Sequence, residues 1–341
     1  MKKKKTIEPP KSWENPQTHY KIAFESEWYK TLVILQDEIN QSSWKFFKNR
    51  GIRTVSLPVT TGSVTSPMGL GSDSLPVKVN LEGAETYLAD SMQFHLEYLL
   101  RYLRNGVHYI MPCFRGELAD ERHLCQFYHS EAEIVGELDD VIQLVNEYVH
   151  QLCKDLLEKI PELIIDFAGS LEHIEKIVQK NKNIPTITFE EAVDYLEDTP
   201  EYIQHYPEGF RTITSVGEKK LIEIFGGMVW VTHYDYVSVP FYQAIDSTGK
   251  YAKNADLLFG IGEVIGAGER HATGKEVRES LKLHEVDEQE YEWYLYMKDQ
   301  YPLKTAGFGM GVERFLLWLT QQNDIRDFQV IPRFNGITIH P

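Results

Sequence analysis

Cysteine is scarce in this chain. Cys113, Cys125 and Cys153 are three residues in 341, too far apart for a C-x-x-C pair. A sparse, odd set excludes a disulfide scaffold and suits reduced thiols, which predicts a cytoplasmic protein. Long apolar runs are missing too: nothing approaches the roughly 18 residues of a membrane span, and the start has no apolar h-region. Cationic excess is absent, with 35 Lys and Arg against 51 Asp and Glu and a net charge of −16. That balance excludes a protein whose whole surface grips a polyanion, since phosphate binding needs a basic face. The dense basic run Lys2–Lys5 sits in a polar, proline-containing start, and residues 1–24 are predicted to form a flexible N-terminal segment. Internal repeats, the dinucleotide-binding glycine fingerprint and the P-loop pattern are all absent.

Apolar residues make up 42% and charged residues 25%, the balance of an ordinary globular chain with a buried core. EWYKTLVILQDEINQSSWKFFKN, 27–49, has helical apolar spacing and feeds a short strand that closes on Pro58. The connector TTGSVTSPMGLGSDS reads as a loop, and loops of that length in compact units are usually functional. A helix near 92–104, strands at 107–115 and 125–134 and a helix at 137–159 follow. Residues 160–225 read as a partly helical insertion. Strands at 228–239 and 256–265, helices at 272–284 and 287–299 and a glycine-spaced strand with its helix complete the chain. Strands and helices do not alternate strictly, so an α+β fold with an antiparallel or mixed sheet flanked by helices is expected.

Polar residues concentrate in a few segments. In FRGE, Arg115 and Glu117 lie two apart on a strand end, so both project from one face and can hold an anion and an amine side by side. Taken alone, such a pair is an ordinary solvated ion pair. His123 follows in the loop, and Phe127 on the returning strand offers a ring that can cover a flat base. In DLLFGIGEVIGAGERH, Asp256 and Glu263 flank glycine-rich backbone, a donor set suited to Mg2+ and equally found as surface acids on a twisted strand pair. Gly307, Gly309 and Gly311 share one strand face, and a face without side chains lets a ligand lie on the backbone. Arg314 then opens a helix, where cation and backbone amides together favour phosphate.

Taken together, these segments resemble the three motifs of class II aminoacyl-tRNA synthetases of the aspartate/asparagine branch. The 27–58 helix and strand look like motif 1, the homodimer interface of that family. FRGE through HLCQF looks like motif 2, and GFGMGVER like motif 3. The resemblance spans 27–335 and implies the class II synthetase fold, an antiparallel sheet flanked by helices. It further implies an ATP-dependent, AMP-forming ligase with Mg2+. Arg115 would bind the α-phosphate and Phe127 would stack on adenine. Glu117, Arg122 and His123 would line the ATP site, Asp256 and Glu263 would serve the metal, and Arg314 would meet the γ-phosphate.

Substrate choice falls to DSMQFHLE and FYHSEAE. Ser91, Gln93 and Glu131 match positions that hold the α-amino end of the amino acid, and Arg270 matches the arginine reaching its side chain. Aspartate-activating members carry lysine where this chain has Leu96, and Glu97 follows as in asparaginyl enzymes. A carboxamide can donate to a glutamate at 97, whereas a carboxylate would be repelled there. Asparagine or a close analogue is therefore the expected substrate, passed as an acyl group to an unidentified acceptor. Departures from the family pattern are Gln126 before the stacking phenylalanine and Lys304-Thr305 before motif 3. About 25 residues precede the first helix, too few for a five-stranded OB barrel, so no anticodon reading is expected. This architecture is also similar to archaeal asparagine synthetase-related proteins, which leaves an AMP-forming asparagine synthetase using aspartate and ammonia as an alternative. A non-catalytic sensor of ATP or an amino acid is the other.

Overall fold

The computed structural model describes residues 6–66, 70, 74–180 and 182–340. Lys2–Lys5, and residues 67–69 and 71–73 of the glycine- and serine-rich connector, lie outside the described residues. The frame is one eight-stranded sheet. In chain order its strands are β1 (Arg53–Thr54), β2 (Val107–Phe114), β3 (Gln126–Val135), β4 (Thr186–Thr188), β5 (Met228–Thr232), β6 (Asn254–Phe259), β7 (Gly262–Glu269) and β8 (Thr305–Gly311). Across the sheet the order is β1-β2-β3-β8-β7-β6-β5-β4. The inner pairs are antiparallel, while β1 on β2 and β4 on β5 are parallel. The sheet is thus mixed, with its antiparallel centre as expected.

One face is covered by α1 (Glu27–Asn49), α3 (Leu138–Lys159) and α7 (Val312–Thr320). Ser26 caps α1 by accepting from the Trp28 amide, and Trp28, Leu32, Leu35, Ile39 and Phe46 then recur on its buried side. A reciprocal box between Glu137 and Asp140 starts α3. Beside the other face pack α2 (Gln93–Leu99), α5 (Gly274–Leu283) and α6 (Glu292–Gln300), around Phe94, Phe241, Tyr291 and Tyr294. No helix among the described residues is long and apolar enough to cross a membrane.

Three differences from the sequence reading have physical causes. Residues 6–24 are not a frayed tail: Trp13 donates through Nε1 to Asp327 (2.7 Å), His19 Nε2 meets the Val330 carbonyl oxygen (2.9 Å), and Ser12 is buried against Tyr29. Aromatic anchors outweigh the polar composition there. The expected strand at 256–265 is a hairpin, because Gly260 takes φ 64° and turns the chain where a Cβ would press on Trp318. The 160–225 insertion is built into the frame: β4 extends the sheet, and α4 (Ser215–Ile224) packs against β6 and β7.

Candidate active site

The cavity lies on the uncovered face of the sheet centre, and strand register explains its shape. In β3, Phe127, His129, Glu131 and Glu133 alternate onto that face. Across β8, Gly311 is paired with His129, Gly309 with Glu131 and Gly307 with Glu133. On β7, Gly266 and Gly268 extend the bare stripe opposite Gly309 and Gly307. The alternate glycines thus remove the cross-strand neighbours of a row of functional side chains.

Their roles differ. At Gly307 an added Cβ would collide with the Glu133 carboxylate and lie 2.7 Å from the Ala132 carbonyl oxygen. At Gly268 it would collide with the Gln243 carboxamide. These two glycines make room for protein side chains, which corrects the expectation that the whole bare face is kept for a ligand. Gly309 and Gly266 do line open space.

Two adjoining lobes share Arg115, His129, Glu263 and Gly309. The first is lined also by Glu117, Arg122, His123, Phe127 and Arg314. The guanidinium of Arg115 sits 5.5 Å from the centre of the Phe127 ring. Arg314 donates to the Glu263 carbonyl oxygen (2.6 Å), and Glu313 turns the other way to accept from the Tyr128 amide (3.0 Å). Burial pushes Glu313 up to about 7. His123 is held by Asp120 at 3.0 Å on the exposed loop. Arg115 Nε, Glu117 Oε2 and Arg122 Nε are buried without a hydrogen-bond partner among the described residues. Such atoms are rare in a closed core and mark a place where a polar ligand completes the bonding.

At the junction stand Asp256 and Glu263. They are seven apart in sequence, but the hairpin pairs Glu263 with Leu258 and Asp256 with Gly266, so the two acids become diagonal neighbours. A Cβ at Gly266 would stand 2.9 Å from Glu263 Oε1 and 3.7 Å from Asp256 Oδ1. Sequence reading missed a third acid: Glu218 on α4, whose carboxylate takes a 3.4 Å contact from Arg122. Burial and then Glu263 push Glu218 up to about 7, and burial with both acids holds Asp256 well above the usual carboxylate range. Clustered hard oxygens with too little positive charge fit Mg2+.

The second lobe contains Ser91, Gln93, Leu96, Glu131 and Arg270. Ser91 Oγ donates to Glu131 Oε2 (2.7 Å), as does the Tyr109 hydroxyl, and Gln93 Nε2 is buried without a partner among the described residues. Arg270 is clamped by Glu133, with Nε to Oε1 at 3.1 Å and Nη2 to Oε2 at 3.2 Å, and donates to Gln243 Oε1 at 3.0 Å. Burial raises Glu133 to about 7 against the pull of Arg270. Glu133 and Gln243 were not foreseen; alternation from Glu131 along β3 was the available signal for Glu133, and Gln243 had none.

Glu97 does not face the cavity, which corrects the expected contact with a substrate carboxamide. It is fully buried between α2 and α6, bonded by Lys298 Nζ (2.5 Å) and the Tyr294 hydroxyl (2.9 Å). Helix geometry alone would leave Glu97, four residues on from Gln93, near the cavity side of α2; the Lys298 and Tyr294 bonds draw it into the packing with α6 instead. Lys298 also donates to the His271 carbonyl oxygen (2.6 Å). Burial alone would raise Glu97, and Lys298 brings it below the ordinary range.

A central antiparallel sheet carrying FRGE on one strand end, a glycine stripe and an arginine at the following helix start defines a class II aminoacyl-tRNA synthetase catalytic domain. The chain belongs to the tRNA synthetases class II (D, K and N), whose family model matches residues 15–335. It is 31% identical over 318 residues to the asparagine–tRNA ligase of Bacillus anthracis, covering 86% of this chain and 68% of that one. Its fold matches asparaginyl-tRNA synthetase from Pyrococcus horikoshii complexed with asparaginyl-adenylate, with a TM-score of 0.85 at 22% identity over 98% of this chain and 74% of that chain. The Entamoeba histolytica asparaginyl-tRNA synthetase in complex with asparaginyl-adenylate gives 0.80 at 19% identity, over 97% and 73%.

Proposed function

We propose that this protein is an AMP-forming ligase that activates asparagine as an aminoacyl-adenylate and passes the acyl group to a nucleophilic acceptor. The observation that carries the reading is the two-lobed cavity with Arg115 at the junction. Adenylate formation joins two substrates at one phosphorus, so the charge that develops there must meet a cation both lobes share. The asparagine carboxylate, already ionised, attacks the α-phosphorus, the bond to the bridging oxygen breaks, and pyrophosphate leaves. No protein nucleophile is required; positioning and charge stabilisation supply the catalysis. Phe127 offers a stacking face for adenine, while Glu117, Arg122, His123 and Arg314 surround the rest of the nucleotide. Asp256 and Glu263, with Glu218 beside them, are the residues that would hold Mg2+, which supplies neutralisation of the triphosphate when bound.

Ser91, Gln93 and Glu131 are assigned to the amino end of the amino acid and Arg270 to its side chain. A neutral carboxamide suits the second lobe better than a carboxylate. Arg270 is already paired with Glu133, Leu96 adds no charge, and Glu131 adds negative charge to the lining. By the same reasoning, activation of aspartate for asparagine synthesis is disfavoured.

The test is ATP–pyrophosphate exchange with asparagine and aspartate, followed by AMP release with ammonia or bulk tRNA as acceptor. Exchange with asparagine well above aspartate is expected. Exchange with neither would refute the reading, ligand binding without AMP release would mark a sensor, and ammonia-dependent consumption of aspartate would establish the synthetase alternative.

A further inference from the structure

We propose that Cys113, His129 and Glu131 form a zinc site in the wall of the second lobe, with its fourth position facing the cavity. The register of β2 and β3 builds it: Cys113 is paired with Phe127, and Met111 with His129, so alternate residues of both strands reach the same face. Thiol sulfur, ring nitrogen and carboxylate oxygen lie within 4.8 Å of one another. Cys113 and Glu131 are buried, and 16% of the His129 side chain is exposed.

The bonding around these atoms is that of ligands awaiting an ion. His129 Nδ1 and Glu131 Oε1 approach to 2.9 Å without the alignment a hydrogen bond needs, so the buried nitrogen has no hydrogen-bond partner among the described residues. Glu131 Oε2 is separately occupied by Ser91 and Tyr109, which fixes the carboxylate and leaves Oε1 directed at the cluster. Such support of a ligand by its outer neighbours is typical of metal sites. The edge of Phe127 against the His129 ring, at 4.8 Å between centres, restrains the ring. The Cys113 sulfur has one weak contact, 3.9 Å from the Met111 carbonyl oxygen.

One sulfur, one nitrogen and one oxygen select zinc over Mg2+, which prefers oxygen alone. Zinc bonds of about 2.0 to 2.3 Å require only small side-chain adjustments, with the His129 nitrogen and the Glu131 oxygen parting slightly from their 2.9 Å approach. Binding displaces the thiol proton to solvent, so affinity rises with pH. Three protein ligands and one open position is the arrangement of zinc sites that take a ligand atom rather than purely structural ones. The site is separate from the Asp256, Glu263 and Glu218 cluster. Only its last feature, a donor atom of the bound amino acid completing the tetrahedron, depends on the proposed function.

The experiment is metal analysis of the full chain after equilibration with zinc and gel filtration, with Co(II) as an optical probe. One equivalent of zinc and a sulfur-to-cobalt charge-transfer band are expected. Both should be lost in Cys113→Ser, with at least tenfold weaker binding in His129→Gln, and both kept in Cys125→Ser. Circular dichroism and denaturation midpoints confirm that each variant is folded. No retained zinc in the wild type, or an unchanged band in folded Cys113→Ser, overturns the site. Asparagine should shift the visible cobalt bands; a protein that exchanges pyrophosphate with asparagine yet shows no shift overturns the open-position assignment. Bound zinc with no exchange for any amino acid leaves the site standing and removes the ligase reading.

Discussion

Gly307→Ala should be far more damaging than Gly309→Ala, although the two glycines lie two apart on one strand face. At 307 the new methyl would occupy the Glu133 carboxylate position, 2.6 Å from its Cδ, and would press on the Ala132 carbonyl oxygen at 2.7 Å. Backbone cannot retreat within the antiparallel centre of the sheet, so Glu133 must leave Arg270. A buried guanidinium stripped of its partner costs about 3 to 5 kcal/mol, and overpacking adds about 1 to 3 kcal/mol before relaxation. We expect a net loss of at least about 3 kcal/mol by urea denaturation. At 309 the nearest atom is Glu131 Oε1 at 3.2 Å, the end of a side chain beside open space. Stability there should change by less than about 1 kcal/mol, while the methyl intrudes on the second lobe and raises the KM for asparagine. Because Glu133→Ala removes the obstructing carboxylate, Gly307→Ala should cost much less in that background, a coupling that a double-mutant cycle reads directly. Equal losses for the two alanine variants, or no coupling to Glu133, would refute the account of the glycine stripe.

Arg115→Ala should leave the denaturation midpoint near wild type and lower pyrophosphate exchange by at least about a hundredfold, as expected for a lost charge-stabilising donor; near-normal exchange would remove Arg115 from the reaction. Lys298→Met leaves Glu97 buried without its cation and should cost about 3 to 5 kcal/mol, with part of the loss recovered in Lys298→Met/Glu97→Leu; chemical denaturation of both variants checks this. Glu218, raised from 4.5 to about 7 by burial and then Glu263, binds its proton more tightly when folded. Its contribution is therefore full below about pH 4.5 and is lost as pH rises through about 7, roughly 3 kcal/mol in all. Glu218→Gln should flatten that part of the pH–stability curve, and Mg2+ should restore wild-type stability above about pH 7; an unchanged slope in the variant would contradict the assignment.

Local chemistry made much of this protein legible in its sequence. Helical periodicity placed α1 and α3, and two-residue alternation placed the glycines of β8 on a common face, whereas Arg115 and Glu117 reach their shared lobe from the loop after β2, which ends at Phe114. Those patterns survive in the folded chain because side-chain direction is fixed by backbone geometry within a few residues. Glu97 was misplaced for the same local reason: the sequence gives its spacing from Gln93 but not Lys298, which lies 201 residues away and draws it out of the cavity. Glu218 carried no signal at all, since only the packing of α4 against the β6–β7 hairpin brings it to Glu263. Strand register decided the remainder. Pairing set Gly307 against Glu133, Gly309 against Glu131 and Cys113 beside His129, and pairing between distant segments depends on which surfaces bury together, a property of the whole sheet rather than of any stretch of residues.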